Sequence, residues 1–93
     1  MKGDFPPAAA NLSMPLGRTK LGFRGAIAAV SPKMNGGLSA EELERRLIEL
    51  GFVEGAHVEV LHEGLIGHDP IAVRVDGNTV ALRRREAMSI LVK

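Results

Sequence analysis

Along residues 71–76 the side chains alternate, with Ile71, Val73 and Val75 on one side and Ala72, Arg74 and Asp76 on the other. This period of two is the signature of a strand with one buried face. Asp76-Gly77 follows, between two β-branched runs, and supplies residue types that tolerate positive φ, so a hairpin is predicted, with Asn78 available to widen its turn. On the return, Val80 and Leu82 share a face opposite Thr79, Ala81 and Arg83. A two-stranded ribbon with one apolar side is not stable alone in water, so the remaining chain must cover it.

The pattern elsewhere supplies the cover. Leu43, Leu47 and Leu50 recur at i, i+4 and i+7 among Glu and Arg, predicting an amphipathic helix with Ile48 as the exception. Ser39 followed by Glu42 predicts a capping box at its start, and Gly51 a left-handed cap at its end. The helix leucines are committed to a core, which leaves the Glu/Arg arc in solvent. Val58 and Val60 share one face of a strand over 57–62, with His57, Glu59 and Leu61 on the other. A shorter strand is predicted over Ala26–Val30, closed by Ser31-Pro32, and another over Ile90–Val92. Arg84–Ala87 reads as a single helical turn.

Less regular stretches fill the gaps. Leu16, Leu21 and Phe23, scattered among glycines, predict an irregular or one-turn segment that feeds apolar anchors into the core, and Asn35-Gly36-Gly37 reads as a loop. Residues 1–15, with Phe5-Pro6-Pro7 and an alanine run, read as a flexible extension ahead of one domain spanning 16–93. The expected architecture is mainly β: about five short strands, one helix between the first and second, and a small barrel that removes exposed edges.

Composition narrows the function. A chain of 93 residues has room for a single modest core. The absence of cysteine removes disulfides, thiolate nucleophiles and thiolate metal sites, and suits a reducing cytoplasm. Twelve basic residues against eleven acidic, and only three aromatics, all Phe, provide neither the basic stripe nor the stacking platforms of a nucleic-acid binder. No apolar run approaches the ~18 residues that cross a bilayer, and the first ten residues lack the layout of a signal peptide.

The run Leu47–Val60, LIELGFVEGAHVEV, resembles the "rLxeLGfxpGtxVev" pattern of the FeoA family, ferrous iron transport protein A. Gly67–Val75, GHDPIAVRV, resembles the family's "GgDPiaikv" stretch, and Val80–Val92 resembles its "ialRrxEAxxIlV" ending. Three departures stand out: Leu65 where the family often has proline, His68 where it often has glycine, and a longer segment before Ala26. The resemblance implies an SH3-like β-barrel and a non-enzymatic role beside FeoB, the membrane transporter of ferrous iron with its GTPase domain, on the cytoplasmic side. The same domain type closes the iron-dependent repressors, so the alternative is a regulatory module that binds a protein partner in transcriptional control. Residues 1–20 have no room for a DNA-reading helix-turn-helix of its own. An RNA- or peptide-binding SH3-like module is a third possibility, since fold alone does not choose function.

Few side chains suggest chemistry. His57 and Glu59 share a strand face and His68 or Asp69 would have to supply a third ligand, so incidental Fe²⁺ or Zn²⁺ binding is conceivable. Ordinary surface polarity is the stronger reading, and no resident metal or cofactor is expected. His62 falls on the opposite face if the strand is regular. No Ser–His–Asp set, paired carboxylates or phosphate-cradling loop fits these spacings, so no catalytic residue is expected. Arg83-Arg84-Arg85 is the densest positive cluster, suited to an acidic partner or a phosphate but more simply a solvated face. Leu65 and Ile66 lie in a glycine-flanked loop, where they either fold over the core or stay exposed as a contact patch. The candidate partner-binding residues are therefore Leu65, Ile66, His68, Arg83 and Arg84.

Overall fold

The computed structural model describes residues 13–31 and 39–93. The expected loop at Asn35-Gly36-Gly37 and most of the expected flexible extension lie outside them. In chain order the elements are β1 (Met14–Pro15), a 3₁₀ turn (Leu16–Arg18), β2 (Arg24–Val30), α1 (Ala40–Glu49), β3 (His57–Glu63), β4 (Ile71–Val75), β5 (Asn78–Leu82), α2 (Arg84–Ala87) and β6 (Ile90–Val92).

All pairings are antiparallel, in the order β1-β6-β2-β3-β4-β5. The expected fold class is corrected in two respects. The described residues form six strands, because Met14 and Pro15, placed by sequence in a flexible lead-in, pair with Val92 and Leu91. The sheet is also open: β1 and β5 are its two ends, so a closed barrel is not formed by strand pairing. A proline, which lacks an N–H, is tolerated at such an edge.

β2 holds the sheet together by changing partners along its length. Arg24–Ala26 pair with β3, whereas Ile27–Val30 pair with β6, with a register shift between Ile27 and Ala29. The β4–β5 hairpin closes as the sequence predicts. Val75 faces Asn78 across a two-residue turn, and Asp76 (φ 47°) and Gly77 (φ 92°) both take the left-handed conformation of a type I′ turn. Asn78 belongs to the strand and does not widen the turn.

The core sits between the concave side of the sheet and α1. Ile71, Val73 and Val75, with Val58 and Val60 beside them, are buried, and Leu43 and Leu47 meet them from the helix. Leu16, Ile27, Phe52, Leu82, Ile90 and Val92 complete the cluster, with Val80 and Leu50 packed at its margin. Ser39 Oγ accepts from the Glu42 N–H at 3.4 Å, one arm of the expected capping box, and Gly51 leaves the helix at φ 105°. The expectation for Leu21 is not met: it is 53% exposed, while Leu16 is the anchor of its segment.

Candidate functional site

A β-bulge in β3 determines which side chains reach the candidate site. Val60 pairs with Val73, but His62 pairs with Ala72 and Glu63 with Ile71, so one residue is inserted between them. Directly opposed residues share a face. A regular strand would place His62 on the core side; the bulge puts it outside with Glu59 and Arg74, correcting the expected position, and turns Glu63 toward the side of Ile71.

Glu63 thereby meets Arg84 at the start of α2. The Arg84 guanidinium donates through Nη2 to Glu63 Oε1 (3.0 Å), through Nη1 to the carbonyls of Gly17 (3.1 Å) and Thr19 (2.7 Å), and through Nε to the His68 carbonyl (2.6 Å). Its backbone N–H donates to Asp69 Oδ1 at 2.8 Å, so a side chain from the 64–70 loop satisfies a free donor of the short helix. One residue thus binds three chain segments, consistent with the planar, multi-donor fork that distinguishes arginine from lysine. Only 19% of its side chain is exposed. Arg84, one of the candidate contact residues, thus serves as a clamp within the fold and presents only its remaining surface to the groove.

The clamp shapes the 64–70 loop. Gly64 N–H donates to the Pro70 carbonyl at 2.9 Å, across the base of the loop, and the Asp69–Pro70 peptide is cis. A side chain at Gly64 would collide with the Asp69 carbonyl, so the neck is as narrow as glycine permits. His68, at φ 58°, places Nδ1 3.0 Å from Glu63 Oε2, which gives this carboxylate partners on both oxygens. Above this base Leu65 and Ile66 project into solvent, 100% and 91% exposed. The alternative that they fold back over the core is excluded. Across a groove of about 570 Å³ from Gly67 and His68 lie Arg18, Lys20 and Leu21. Their segment is pinned by Arg84 at Gly17 and Thr19, and by Gly22 N–H donating to the Val60 carbonyl.

The other candidates are dispersed. Arg83 is exposed, its backbone N–H held by Glu86 Oε1 at 3.0 Å. Glu86 also pairs with Arg46 at 3.0 Å and so ties α2 to α1. His57 and Glu59 share a face as predicted, on the far side of β3 from the Arg84 cluster, and Arg74 lies 3.6 Å from Glu59. Among the described residues no group of three or more His, Cys, Asp or Glu side chains is placed to hold a metal ion. No described helix is long and apolar enough to cross a membrane. The residues that sequence reasoning missed are Glu63 and the backbone carbonyls of Gly17, Thr19 and His68; the only sequence signal for them was an arginine opening the helical turn that follows a hairpin.

Known structures carry the same fold. The solution structure of FeoA from Chlorobium tepidum is 34% identical, with a TM-score of 0.70 over 85% of this chain and 68% of that one. The FeoA of Stenotrophomonas maltophilia, crystallised with zinc and described as a procaryotic SH3 domain protein and a candidate activating factor of ferrous iron transport, is 31% identical, with a TM-score of 0.70 over 86% and 89%. A manganese-dependent transcriptional repressor, 21% identical, shares the fold over 87% of this chain and 41% of its own length, with a TM-score of 0.69. Among curated protein sequences none matches at a significant level. The family model of the FeoA domain matches residues 14–93, from the first strand to the last residue, and the chain belongs to that family.

Proposed function

We propose that this chain is an accessory binding module of ferrous iron uptake that acts on the cytoplasmic part of a FeoB-type transporter. The observation that carries the reading is a loop held in one shape by Arg84 while its tip, Leu65-Ile66, packs on none of the described residues. A preformed loop loses little conformational freedom on docking, which is the physical requirement of a small adaptor. His68 and Arg83, at the shoulders of the loop, are the polar contacts proposed beside it. Family membership supplies the connection to iron transport. Within the reading the open sheet, with α1 packed on its core, serves as an SH3-like barrel, and catalysis has no part.

The test is capture of the transporter's cytoplasmic region by the purified chain, without nucleotide and with guanosine di- and triphosphate, alongside ferrous iron uptake in cells with and without the gene. Binding in at least one nucleotide state together with reduced uptake on deletion is expected. Absence of both refutes the proposal. A second reading, a module that binds a metal-dependent repressor, draws on the shared fold with the manganese-dependent repressor; capture of a repressor with unchanged iron uptake would favour it.

A further inference from the structure

We infer that the face formed by the Leu65-Ile66 tip and the Arg18–Leu21 segment seats on an anionic lipid bilayer. The proposal needs no transporter, although it gives the Leu65-Ile66 tip of the reading above a different occupant. Four observations carry it together. Leu65 and Ile66 are adjacent aliphatic side chains at the apex of a convex loop, fully solvated, and Leu21 is half exposed across the groove. A bilayer accepts such a projection without a shaped pocket, whereas a protein partner must supply one. Arg84 donates five hydrogen bonds, two to the loop at His68 and Asp69 and three to Gly17, Thr19 and Glu63 at its base, so the face is held together before insertion.

The charges complete the argument. Arg18, Lys20 and Arg83 are exposed around the loop, and Arg84 lies beneath it. The acidic groups at the same place, Glu63 and Asp69, are both engaged by Arg84. Arg18, Lys20, Arg83 and Arg84 against Glu63 and Asp69 leave a net charge of +2 around an apolar tip, on a chain whose overall charge is only +1. That is the charge complementarity an anionic headgroup layer recognises, each nearby Lys or Arg strengthening attachment by roughly fivefold, converted from ~1 kcal/mol.

The test is co-sedimentation of the full chain with vesicles of phosphatidylcholine alone and of phosphatidylcholine containing phosphatidylglycerol. Sedimentation with the anionic vesicles only, weakened by added salt, is expected. The double variant Leu65→Ser/Ile66→Ser should reduce partitioning at least tenfold, and Arg18→Gln/Lys20→Gln should reduce it by an order of magnitude or more while flattening the salt dependence. All four sites are exposed, so both variants should melt with the parent, and a melting curve run on each separates lost binding from lost fold. Failure of the parent chain to sediment with anionic vesicles overturns the proposal, as does binding that the Leu65/Ile66 variant leaves intact. Capture of the soluble transporter region through Leu65 and Ile66 without vesicle binding would also overturn it, assign the tip to protein contact, and leave the transporter reading standing.

Discussion

Replacing Arg84 with alanine should destabilise this domain more than its partly buried position suggests. The substitution keeps the backbone N–H bond to Asp69 but removes four side-chain hydrogen bonds, to Glu63, Gly17, Thr19 and His68. A hydrogen bond to a charged group contributes ~1.5–3 kcal/mol, and stranding a partner in a fully buried ion pair costs ~3–5 kcal/mol. Glu63 is 23% exposed at its side chain and keeps His68 nearby, so water and the imidazole compensate in part. The expected loss is therefore ~2–4 kcal/mol, against a total of roughly 5–14 kcal/mol for a chain of this length. In a domain this small that lowers Tm by roughly 10–25 °C.

Urea denaturation followed by circular dichroism measures the loss directly. Arg84→Lys restores the charge but not the fork, and should recover less than half of it. A double-mutant cycle with Glu63→Gln should give a coupling of at least ~1 kcal/mol, since the two side chains touch. A loss below ~0.5 kcal/mol for Arg84→Ala would refute the clamp, and with it the claim that the 64–70 loop is preformed.

Two further substitutions probe the core. Val73→Asp places an unpaired charge at a fully buried position facing Val60 and Val80, and should abolish cooperative unfolding; an unchanged melting curve would refute the assigned strand register. Ser89 is fully buried and its hydroxyl has no hydrogen-bond partner among the described residues, so Ser89→Ala should be neutral or stabilising by up to ~1 kcal/mol in the same urea titration. A loss above ~1 kcal/mol would show that the hydroxyl has a partner.

What the sequence disclosed was what periodicity encodes. The β4–β5 hairpin, the leucine stripe of α1 and the helical turn Arg84–Ala87 were legible because each repeats its signal over several residues or uses a turn residue of restricted chemistry. β1 was not, since two residues containing a proline carry no period. The bulge in β3 was not either: one inserted residue changes the faces of His62 and Glu63 without changing the composition of the strand. Arg84 was read as part of a solvated triple because three of its four side-chain acceptors are backbone carbonyls, which every sequence contains and none displays. For Leu65 and Ile66 the sequence left folding back and exposure open, because the choice depended on a clamp whose parts lie up to 67 residues apart.

The position of β6 bears on how the molecule comes into being. Residues 90–92, near the end of the chain, occupy the interior of the sheet between β1 and β2. On the ribosome, β3, β4 and β5 can zip together as each emerges, yet the outer half of β2 and all of β1 have no partner until Ile90–Val92 leave the exit tunnel. Synthesis therefore yields a half-sheet first, and the core cluster around Leu16 and Ile27 lacks Ile90 and Val92 until β6 has emerged. Completion of the sheet waits on β6, and removing it would leave the edges of β1 and β2 open to aggregation.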